Sequence, residues 1–357
     1  MSIPLLKNLF IYPTWSCNLN CKHCWVNKKE TDLFLSKDIL DNAINEALDL
    51  GLTYIKISGG EPLLAGELIE FIINKVKNEN VNISIETNAT LIDDRWAKIL
   101  AENEVSVSVS VDSHEESDHD RFRGIDGSFK KTINAIELLV KNDVQVGIVS
   151  SILNMDFDNI DKMIELSKDL NVSFIKFNPI VKVGNAKKIN KNKDFIFALY
   201  PEEMLELKNK YCNKKSLGIP VDLFLPVGLS NIKSILTHSP LQGISCINCP
   251  TLNLLSILPN GDLGLCPEAN RSELLKFDNL YITNLSDVWN DNSNLNKLRS
   301  EIPDRLTGVC GKCLVKNICK GSCRAVAVSS GGTINSPHPI CQYLYDKNKF
   351  HLAYARK

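Results

Sequence analysis

The sequence lacks an excess of charge of either sign, and it lacks a long apolar run. Its 41 Lys and Arg residues nearly balance 42 Asp and Glu residues, for a formal net charge of -1. No global field would hold a polyanion, so we expect neither a nucleic-acid partner nor a membrane partner. No window approaches ~18 uninterrupted apolar residues, and the amino-terminal run MSIPLLKNLFIYPTW is too short for a signal sequence. We therefore expect a cytoplasmic protein.

Cysteine, by contrast, is plentiful, because the chain of 357 residues has 12 of them. A reducing cytoplasm keeps thiols from forming disulfides, so metal ligation is the leading explanation for this number. The apolar share of 44% and the charged share of 23% are typical of a soluble globular protein. The length suffices for one large domain and a smaller one.

Strand-like and helix-like segments alternate through the first half of the sequence. The strand-like runs lie at 9–12, 53–58, 81–87, 105–111, 144–152 and 172–180, and the helical runs lie at 36–51, 67–78, 93–103, 129–142 and 159–170. Six strands that alternate with five helices predict right-handed crossovers and a parallel sheet with helices outside, as in a curved or partial barrel. The fold class is therefore α/β, and periodicity alone does not separate a barrel from an open sheet.

The composition changes after the last of these strands. Residues 184–194 (GNAKKINKNKD) indicate a surface linker, and a helix is expected over 201–216. After Cys246, closely spaced cysteines alternate with segments that contain Pro, Gly and Asn. This pattern predicts a small module that is held together by bound metal. The expected domains are a core over 1–183, a linker and bridging helix over 184–245, the cysteine-rich module over 246–345 and a tail over 346–357.

Three cysteines follow the first predicted strand in the pattern Cys17-x3-Cys21-x2-Cys24. Three thiolates this close together can hold three irons of a four-iron cluster and leave the fourth iron open for a ligand. Structural zinc is the alternative, with His23 as a fourth ligand. That arrangement would require one short loop to wrap a whole tetrahedron, because His23 lies between Cys21 and Cys24.

The cysteine loop CNLNCKHCW, with the aromatic Trp25 after its last cysteine, resembles that of the radical S-adenosylmethionine (SAM) superfamily. The resemblance continues to about residue 180. It implies a partial (βα)6 barrel, a SAM cofactor, and a second-strand motif whose backbone contacts the amino group of the methionine moiety. That motif is GGEP, formed by Gly59, Gly60, Glu61 and Pro62. A lone Gly-Gly pair more often marks a turn, so the motif gains its meaning from its distance to the cysteines.

Polar residues at the ends of the next strands are candidates for cofactor contacts. By the same resemblance, Asn88, Ser110 and Asp112 lie near the cofactor at the carboxyl edge of the sheet, where such sheets carry their sites. Ordinary capping of strand ends is the alternative. Arg123, in HDRFRG, aligns with an arginine that meets the cofactor carboxylate, a task that suits a bidentate guanidinium. Its neighbour Arg121 is a weaker candidate and is expected to be solvated.

The resemblance also implies a reaction. A reduced cluster passes one electron to the sulfonium of SAM, the carbon–sulfur bond breaks, and a 5′-deoxyadenosyl radical removes a hydrogen atom from a substrate. The cofactor carries this chemistry, while the protein positions it and excludes water and oxygen. Reduced flavodoxin or ferredoxin is the expected electron donor.

The carboxyl-terminal third contains a second constellation of cysteines. Its spacing resembles the SPASM extension of radical SAM enzymes, which carries two auxiliary [4Fe-4S] clusters, and PNGDLGLC within it predicts a hairpin around Asn260-Gly261. Paired CxxC units that bind zinc are the alternative. The residues that carry the resemblance are Cys246, Cys249, Gly261, Cys266, Cys310, Cys313, Cys319, Cys323 and Cys341.

The resemblance implies three [4Fe-4S] clusters in all. The auxiliary ligand sets would be Cys246, Cys249, Cys266 and Cys323 for one cluster and Cys310, Cys313, Cys319 and Cys341 for the other. Cys246 stands closer to Cys249 than in some relatives, which leaves open whether that cluster has an open iron. Only Cys212 is left over, and it is expected to lie in a helix without a metal role.

Relatives with a SPASM extension mostly modify peptides or proteins by crosslinking, epimerisation or oxidation. We therefore expect an oxidoreductase that modifies a peptide or protein. Sulfatase maturases carry an Asp just after the cysteine equivalent to Cys266, whereas this chain has Pro267 and then Glu268, which argues against sulfatase maturation. Glu268 is a candidate base, and an exposed loop carboxylate without a role is the alternative.

Two other functions stay open. Relatives in haem-type cofactor synthesis share the segment Cys323-Arg324-Ala325, so oxidation of a tetrapyrrole side chain is one of them. The other is a non-enzymatic electron carrier or cluster scaffold. Sixteen residues precede Cys17, so we do not expect an amino-terminal leader-peptide-binding domain. A peptide substrate would therefore be recognised by the core or by a separate leader-peptide-binding protein.

Overall fold

The structure is a computed structural model, and it describes residues 3–26, 33–212, 214–229, 249 and 251–350. Cys246, residues 230–245 of the predicted linker and residues 351–357 of the predicted tail lie outside the described residues. The strands are β1 (Asn8–Ile11), β2 (Tyr54–Ile57), β3 (Asn82–Thr87), β4 (Ser106–Ser110), β5 (Val146–Ile152), β6 (Phe174–Pro179), β7 (Val221–Leu223), β8 (Leu254–Ile257), β9 (Asp262–Gly264) and β10 (Lys276–Asn279).

The helices of the described residues follow the predicted alternation in the first half of the chain and then become short. They are α1 (Lys37–Asp49), α2 (Gly66–Val76), α3 (Asp94–Glu102), α4 (Glu116–Arg123), α5 (Ser128–Lys141), α6 (Phe157–Asp169), α7 (Pro201–Tyr211), α8 (Leu285–Asp291), α9 (Ser293–Glu301), α10 (Gly308–Lys312), α11 (Lys316–Cys319), α12 (Arg324–Ser329) and α13 (Pro339–Asp346). None of them has the length and apolar character needed to cross a membrane.

All ten strands join one sheet in the order β10-β9-β8-β1-β2-β3-β4-β5-β6-β7. The pairs from β8 through β1 to β7 are parallel, whereas β9 and β10 run antiparallel to their neighbours. The predicted parallel order of the first six strands is confirmed. The edge strands β7 and β10 do not pair with each other, so the sheet of the described residues is open on one side, as it is in a partial barrel.

The two faces of the sheet differ because successive residues of a strand point to opposite sides. On β2, Ile55 and Ile57 are fully buried in the apolar core between sheet and helices. Lys56, between them, lies opposite Ser84 of β3 in the pairing register, and its Nζ binds Glu86 Oε1 at 2.6 Å. The inner face of the partial barrel is therefore polar and charged.

Two predicted elements differ from the structure. The helix expected over 201–216 ends at Tyr211, because Cys212 has an extended backbone with ψ 142°. Cys212 is therefore the residue that follows α7 and does not lie within a helix. Helix α4 was not predicted, because its sequence ESDHDRFR has no apolar stripe from which periodicity could detect it.

The carboxyl-terminal third is built onto the first strand. The predicted hairpin around Asn260-Gly261 is confirmed as β8 and β9, and Gly261 has φ 80° at its turn. Strand β8 then pairs with β1. Trp289 of α8 is fully buried and donates from Nε1 to Pro4 O at 2.9 Å, so the last third packs against the start of the chain.

Candidate active site

The three amino-terminal cysteines lie on a loop between β1 and α1 that reaches α4. Cys21 is buried, Cys17 and Cys24 are half-buried, and all three carry free thiols. Two backbone hydrogen bonds of 3.0 Å join the middle of this loop to the last turn of α4. The helix that sequence analysis missed therefore helps to position the cysteines.

The GGEP motif lies directly against the backbone that precedes Cys17. Gly60 N donates to Thr14 O at 3.0 Å, and Glu61 N donates to Ser16 O at 2.8 Å. A Cβ on Gly60 would lie 2.2 Å from Ser16 O. Only glycine allows so close an approach of two backbones, so this contact requires the residue type.

Glu61 joins the ends of two neighbouring strands. Its Oε1 accepts hydrogen bonds from Leu63 N at 3.1 Å and Thr87 Oγ1 at 2.6 Å, and its Oε2 accepts one from Asn88 N at 2.9 Å. Burial raises the pKa of the Glu61 carboxyl, and these three donors oppose the rise. The turn Pro62–Ala65 that follows is capped by the same carboxyl. The side chain thereby fixes the carboxyl ends of β2 and β3 relative to each other.

Asn88 is turned toward the cysteine loop. Its Nδ2 donates to Asn18 Oδ1 at 2.9 Å and lies 4.0 Å from Cys17 Sγ. Its Oδ1 accepts from Thr90 N at 2.9 Å and from Thr90 Oγ1 at 2.7 Å. Asn88 thus supports the side of the site that Cys17 occupies.

Asp112 and Arg123 form a buried ion pair beside Cys21. Arg123 Nε donates to Asp112 Oδ2 at 2.6 Å, and Arg123 Nη1 donates to Cys21 Sγ at 3.8 Å. Asp112 Oδ1 accepts from Ser151 N at 2.8 Å. Burial alone would raise the pKa of Asp112, but the Arg123 guanidinium holds it below its usual range. The pair therefore stays ionised. Arg121 is exposed, as expected, and pairs with Asp118 at 2.7 Å.

The two remaining predicted contacts, Ser110 and Trp25, lie on different elements of the fold. Ser110 ends β4, is half-buried and pairs in register with Val149 of β5. Trp25 packs edge-on against Trp15, with ring centroids 5.5 Å apart, and against Tyr12 at 6.1 Å. This aromatic cluster walls one side of the cysteine loop.

Two thiols of this loop, those of Cys17 and Cys21, have a raised pKa. Burial raises the pKa of Cys17 to about 11. Burial also raises the pKa of Cys21, against the opposing charge of Arg123. A metal ion would have to displace these protons, because a coordinating thiol is deprotonated.

The segment after β6 also holds the loop, which sequence analysis did not foresee. Asn185 N donates to Cys24 O at 2.9 Å, and Asn185 Nδ2 donates to Cys21 O at 3.3 Å. Gly184 has φ 58°, and a Cβ there would lie 2.6 Å from Cys24 O. Ala186 is fully buried. The start of the predicted surface linker is therefore part of the site, and the Gly-Asn dipeptide is the feature that could have indicated a tight turn there.

A cleft of about 410 Å³ opens beside Asp112, between the ends of β4 and β5 and the start of α6. Its walls are mostly polar or charged. The charged or titratable residues along it include His114, Glu115, Arg121, Asp156 and Lys162.

The carboxyl-terminal cysteines form two groups. Cys310, Cys313, Cys319 and Cys341 line one small cavity, which we call the second cysteine group. Cys249, Cys266 and Cys323 form the first cysteine group: burial raises the pKa of Cys266, and the nearby charges of Cys323 and Cys249 raise it further. The structure brings together all the described members of each predicted set, and Cys246 lies outside the described residues.

Two family profiles match these regions of the chain. The radical SAM superfamily matches residues 11–170, and an iron–sulfur cluster-binding domain, SPASM, matches residues 246–314. The chain therefore contains a radical SAM domain followed by an iron–sulfur SPASM domain. The first match contains the cysteine loop, GGEP and the ion pair, and the second begins at Cys246.

Two similar proteins and one similar solved structure match almost the whole chain. An AdoMet-dependent heme synthase of Methanosarcina barkeri is 26% identical over 346 residues, which are 92% of this chain and 94% of that protein. The mycofactocin maturase MftC of Mycolicibacterium smegmatis is 24% identical over 335 residues, 92% of this chain and 80% of that protein. The structure of Streptococcus suis SuiB bound to precursor peptide SuiA has a TM-score of 0.74 at 18% identity and covers 96% of this chain and 76% of that one.

The radical SAM domain has side chains that fit a four-iron cluster. Cys17, Cys21 and Cys24 are the thiolate ligands that such clusters use. Asn88 and Arg123 already donate toward two of their sulfurs. The described residues contain no group of three or more His, Cys, Asp or Glu side chains placed around one metal ion.

The SPASM region shows a different kind of fit. His338 is buried, yet neither of its ring nitrogens has a partner among the described residues, and the same is true of Arg324 Nε. The backbone N of His338 donates to Cys310 Sγ at 3.4 Å, so these nitrogens belong to the surroundings of the second cysteine group. Buried donors are normally satisfied, and the sulfides of a [4Fe-4S] cluster are acceptors that would satisfy Arg324 Nε–H and the one N–H of a neutral His338 ring.

Radical SAM and SPASM domains imply [4Fe-4S] clusters and SAM as cofactors. When bound, the reduced cluster supplies one electron to SAM, which yields the 5′-deoxyadenosyl radical that these enzymes use to remove hydrogen from a substrate. The residues of this chain bury the thiols, hold GGEP against the cysteine loop and keep Asp112 and Arg123 ionised beside the cleft.

Glu268 lies beside the first cysteine group. It follows Cys266 in the turn Pro267–Arg271, forms a close ion pair with Arg271 and accepts a hydrogen bond from Ser329 Oγ at 3.3 Å. Its side chain is only 15% exposed. Glu268 is therefore half-buried and not fully exposed, because these two partners hold the side chain against the protein, and its role as a base stays a prediction.

Proposed function

We propose that this radical SAM enzyme modifies a peptide or protein by crosslinking, epimerisation or oxidation. The observation that carries the proposal is the polar wall of the cleft beside Asp112. Charged and hydroxyl side chains can pair with the amides and side chains of an extended peptide. A tetrapyrrole ring, by contrast, needs a broad apolar wall, as ligand pockets for large flat molecules usually have.

The roles of the individual residues follow from their places. We propose that Cys17, Cys21 and Cys24 bind the SAM cluster and that Gly59, Gly60, Glu61 and Pro62 present their backbone to the methionine amino group. Asn88, Ser110, Asp112, Arg123 and Trp25 would surround the remainder of the cofactor. The first cysteine group together with Cys246, and the second cysteine group, would each bind one auxiliary cluster, with Glu268 beside the former.

The test is turnover of reconstituted protein under anaerobic conditions with dithionite and SAM. We expect formation of 5′-deoxyadenosine, stimulated by a peptide encoded beside this gene, together with a mass change in that peptide. Cys21→Ala is the matched inactive control. Peptides that neither stimulate turnover nor change in mass, while a carboxylated tetrapyrrole does both, would overturn the proposal. A scaffold protein would release no 5′-deoxyadenosine at all.

Tetrapyrrole oxidation is the second candidate, and two observations favour it. The similar heme synthase matches over 94% of its own length. Lys176 is buried on the inner face of the barrel, where its ammonium group could hold a carboxylate of such a substrate. If the enzyme oxidises a tetrapyrrole, Lys176→Met will raise the KM for the tetrapyrrole. The rate of SAM cleavage measured in the absence of substrate will not change.

An acidic electron donor is the partner that the surface supports. A basic cleft of about 620 Å³ is lined by Lys182, Lys187, Lys188, Lys193 and Ser329, and Ser329 bonds to the carboxyl of Glu268, two residues after Cys266. We infer that reduced flavodoxin or ferredoxin docks there, while a separate leader-peptide-binding protein stays a prediction.

Salt and charge reversal test this docking. Lys187→Glu with Lys188→Glu should slow reduction by flavodoxin about tenfold at low salt, because charge complementarity accelerates association. Reduction by dithionite should not change. Lys130→Glu, on the exposed side of α5, is the matched control. Equal flavodoxin rates in all three proteins would remove the docking site.

A further inference from the structure

Arg324 is a buried charge without a carboxylate partner among the described residues. Its side chain is fully buried, although it follows Cys323 at the start of α12. Nη1 donates to Ile334 O at 3.0 Å and to Ser336 O at 2.7 Å, and Nη2 donates to Gly321 O. Three backbone carbonyls satisfy hydrogen bonds but leave the net charge of the guanidinium uncompensated, which is costly in the interior.

Cysteines from both groups lie close to Arg324. Cys323 of the first group precedes it directly in the chain, and Cys310 and Cys319 of the second group are near enough to influence its charged form. The carbonyl that Nη2 binds belongs to Gly321, which lines the cavity of the second cysteine group. Arg324 therefore lies between the two proposed cluster sites.

We propose that Arg324 is a positioning residue shared by both auxiliary clusters, whose buried positive charge stabilises their reduced forms and raises both reduction potentials. The inference rests on the proposed auxiliary ligand sets. Reduction adds one electron to a cluster and makes its net charge more negative by one. A cation fixed beside the cluster favours that state, since net charge and hydrogen bonds to the sulfurs set the potentials of iron–sulfur clusters.

His338 provides a local contrast to this shared role. It precedes α13, and its backbone N donates to Cys310 Sγ at 3.4 Å, so it adjoins the second cysteine group. Its ring is buried, lies 6.2 Å from the ring of Phe197 and has no described partner for either nitrogen. His338→Phe keeps a flat ring and removes the one N–H donor of the neutral imidazole. This change should lower the potential of the second-group cluster alone.

The experiment is a dithionite titration of the full-length anaerobic holoenzyme, followed by electron paramagnetic resonance. The cluster of the amino-terminal loop is recognised because its signal responds to added SAM. In Arg324→Gln, the ratio of reduced to oxidised auxiliary cluster at the wild-type midpoint should fall about tenfold for both clusters, equivalent to ~59 mV for a one-electron couple. Arg324→Lys, which retains the charge, should return both ratios to within about twofold of wild type.

The matched control is Arg299→Gln. Arg299 lies in α9, and its guanidinium lies 4.1 Å from the ring of Trp289. Its removal takes one positive charge from the same third of the chain. Neither auxiliary ratio should move.

Each other outcome decides against the proposal or is settled by the lysine variant. Unchanged ratios in Arg324→Gln, or a shift in only one cluster, overturn it. If Arg324→Gln loses iron, retention of iron and of both potentials in Arg324→Lys supports the role of the charge. Loss of iron in both variants assigns Arg324 to holding the loops alone.

The proposed auxiliary ligand sets can be tested independently of the role of Arg324. If Cys323→Ala and Cys341→Ala lose no iron and leave both auxiliary signals unchanged, the proposed ligands are wrong whatever Arg324 does.

Discussion

At the scale of single residues, the burial of His119 beside Asp112 and Arg123 could not be predicted from the sequence. His119 is buried, and its Nδ1 accepts a hydrogen bond from Asp112 N at 3.3 Å. Burial, and then the charge of Arg123, lowers the pKa of His119 from 6.5 to about 4. Protonation would place a cation beside Arg123 and remove the acceptor that holds the Asp112 backbone.

The pH dependence follows from this shift. Between pH 6.5 and about 4, His119 is protonated in the unfolded chain but not in the folded chain. The free energy of unfolding therefore falls as the pH decreases through this window. The full effect is about 3 kcal/mol. His119→Asn retains an acceptor that does not titrate. In urea unfolding of the metal-free chain, the variant should lose about 3 kcal/mol less than wild type between pH 7 and pH 4.

His23 and His338 titrate in the same direction, because burial lowers the pKa of each to about 4 and about 3. They remain in both proteins, so their contribution cancels in the comparison. Equal losses in wild type and His119→Asn would show that His119 is already solvated.

Residue types with a chemical role were predictable from sequence, and their partners were not. The spacing of the cysteines and the position of Asp112 at a strand end indicate a cluster and cofactor site from the sequence alone. Nothing local indicated that Asn185 binds the carbonyls of Cys21 and Cys24. That contact depends on how β6 lies relative to β1, on opposite flanks of four intervening strands.

Among the structural elements, the close contact of the GGEP turn with the cysteine loop can be broken by one methyl group. Gly60→Ala would place a Cβ 2.2 Å from Ser16 O and 2.4 Å from Trp15 O. The loop has to move, because both obstacles are backbone atoms. Iron content should fall from about twelve to about eight per chain, since only the amino-terminal cluster depends on this loop. Formation of 5′-deoxyadenosine should cease.

Gly127→Ala is the control for this change. Gly127 has φ 77° with no atom within 4 Å of a Cβ, so its substitution strains the backbone without displacing a neighbour. It should cost about 1 kcal/mol of stability and no iron. If Gly60→Ala keeps its full iron and its turnover, the contact does not position the cluster loop.

The long elements were predictable because each has a complete apolar pattern. The helix predicted over 36–51 appears as α1, with Leu40, Ala43, Ile44 and Ala47 buried on one face. Helix α4 lacks such a face, and β7 has only three residues, so neither has a periodicity to detect. The pairing of β8 with β1 is a long-range event that local patterns do not encode.

At the scale of the whole molecule, the number of irons bound at each of the three proposed cluster sites tests the proposed ligand sets. We expect about twelve irons per chain, four for each cluster. Replacing Cys310 and Cys341 together by Ala should leave about eight, because both line the cavity of the second cysteine group. Anaerobic iron and sulfide analysis measures this directly.

Cys212→Ala is the matched control for the whole-molecule count. Burial raises the pKa of Cys212 to about 12, and the residue follows α7 outside either cysteine group. Its loss should leave about twelve irons. A fall in iron there, or an unchanged count after the double replacement, contradicts the proposed division.

The position of β1 between β2 and β8 has a consequence for biosynthesis. Asn8 Nδ2 bonds to Asn253 O, 245 residues further along the chain. At ~5–20 residues per second, a ribosome needs about 10 to 50 s to make that stretch. Throughout this interval the nascent β1 has one bare edge beside the thiols that follow it. We therefore expect iron delivery to wait for the completed polypeptide, with a chaperone shielding the unpaired strand until then.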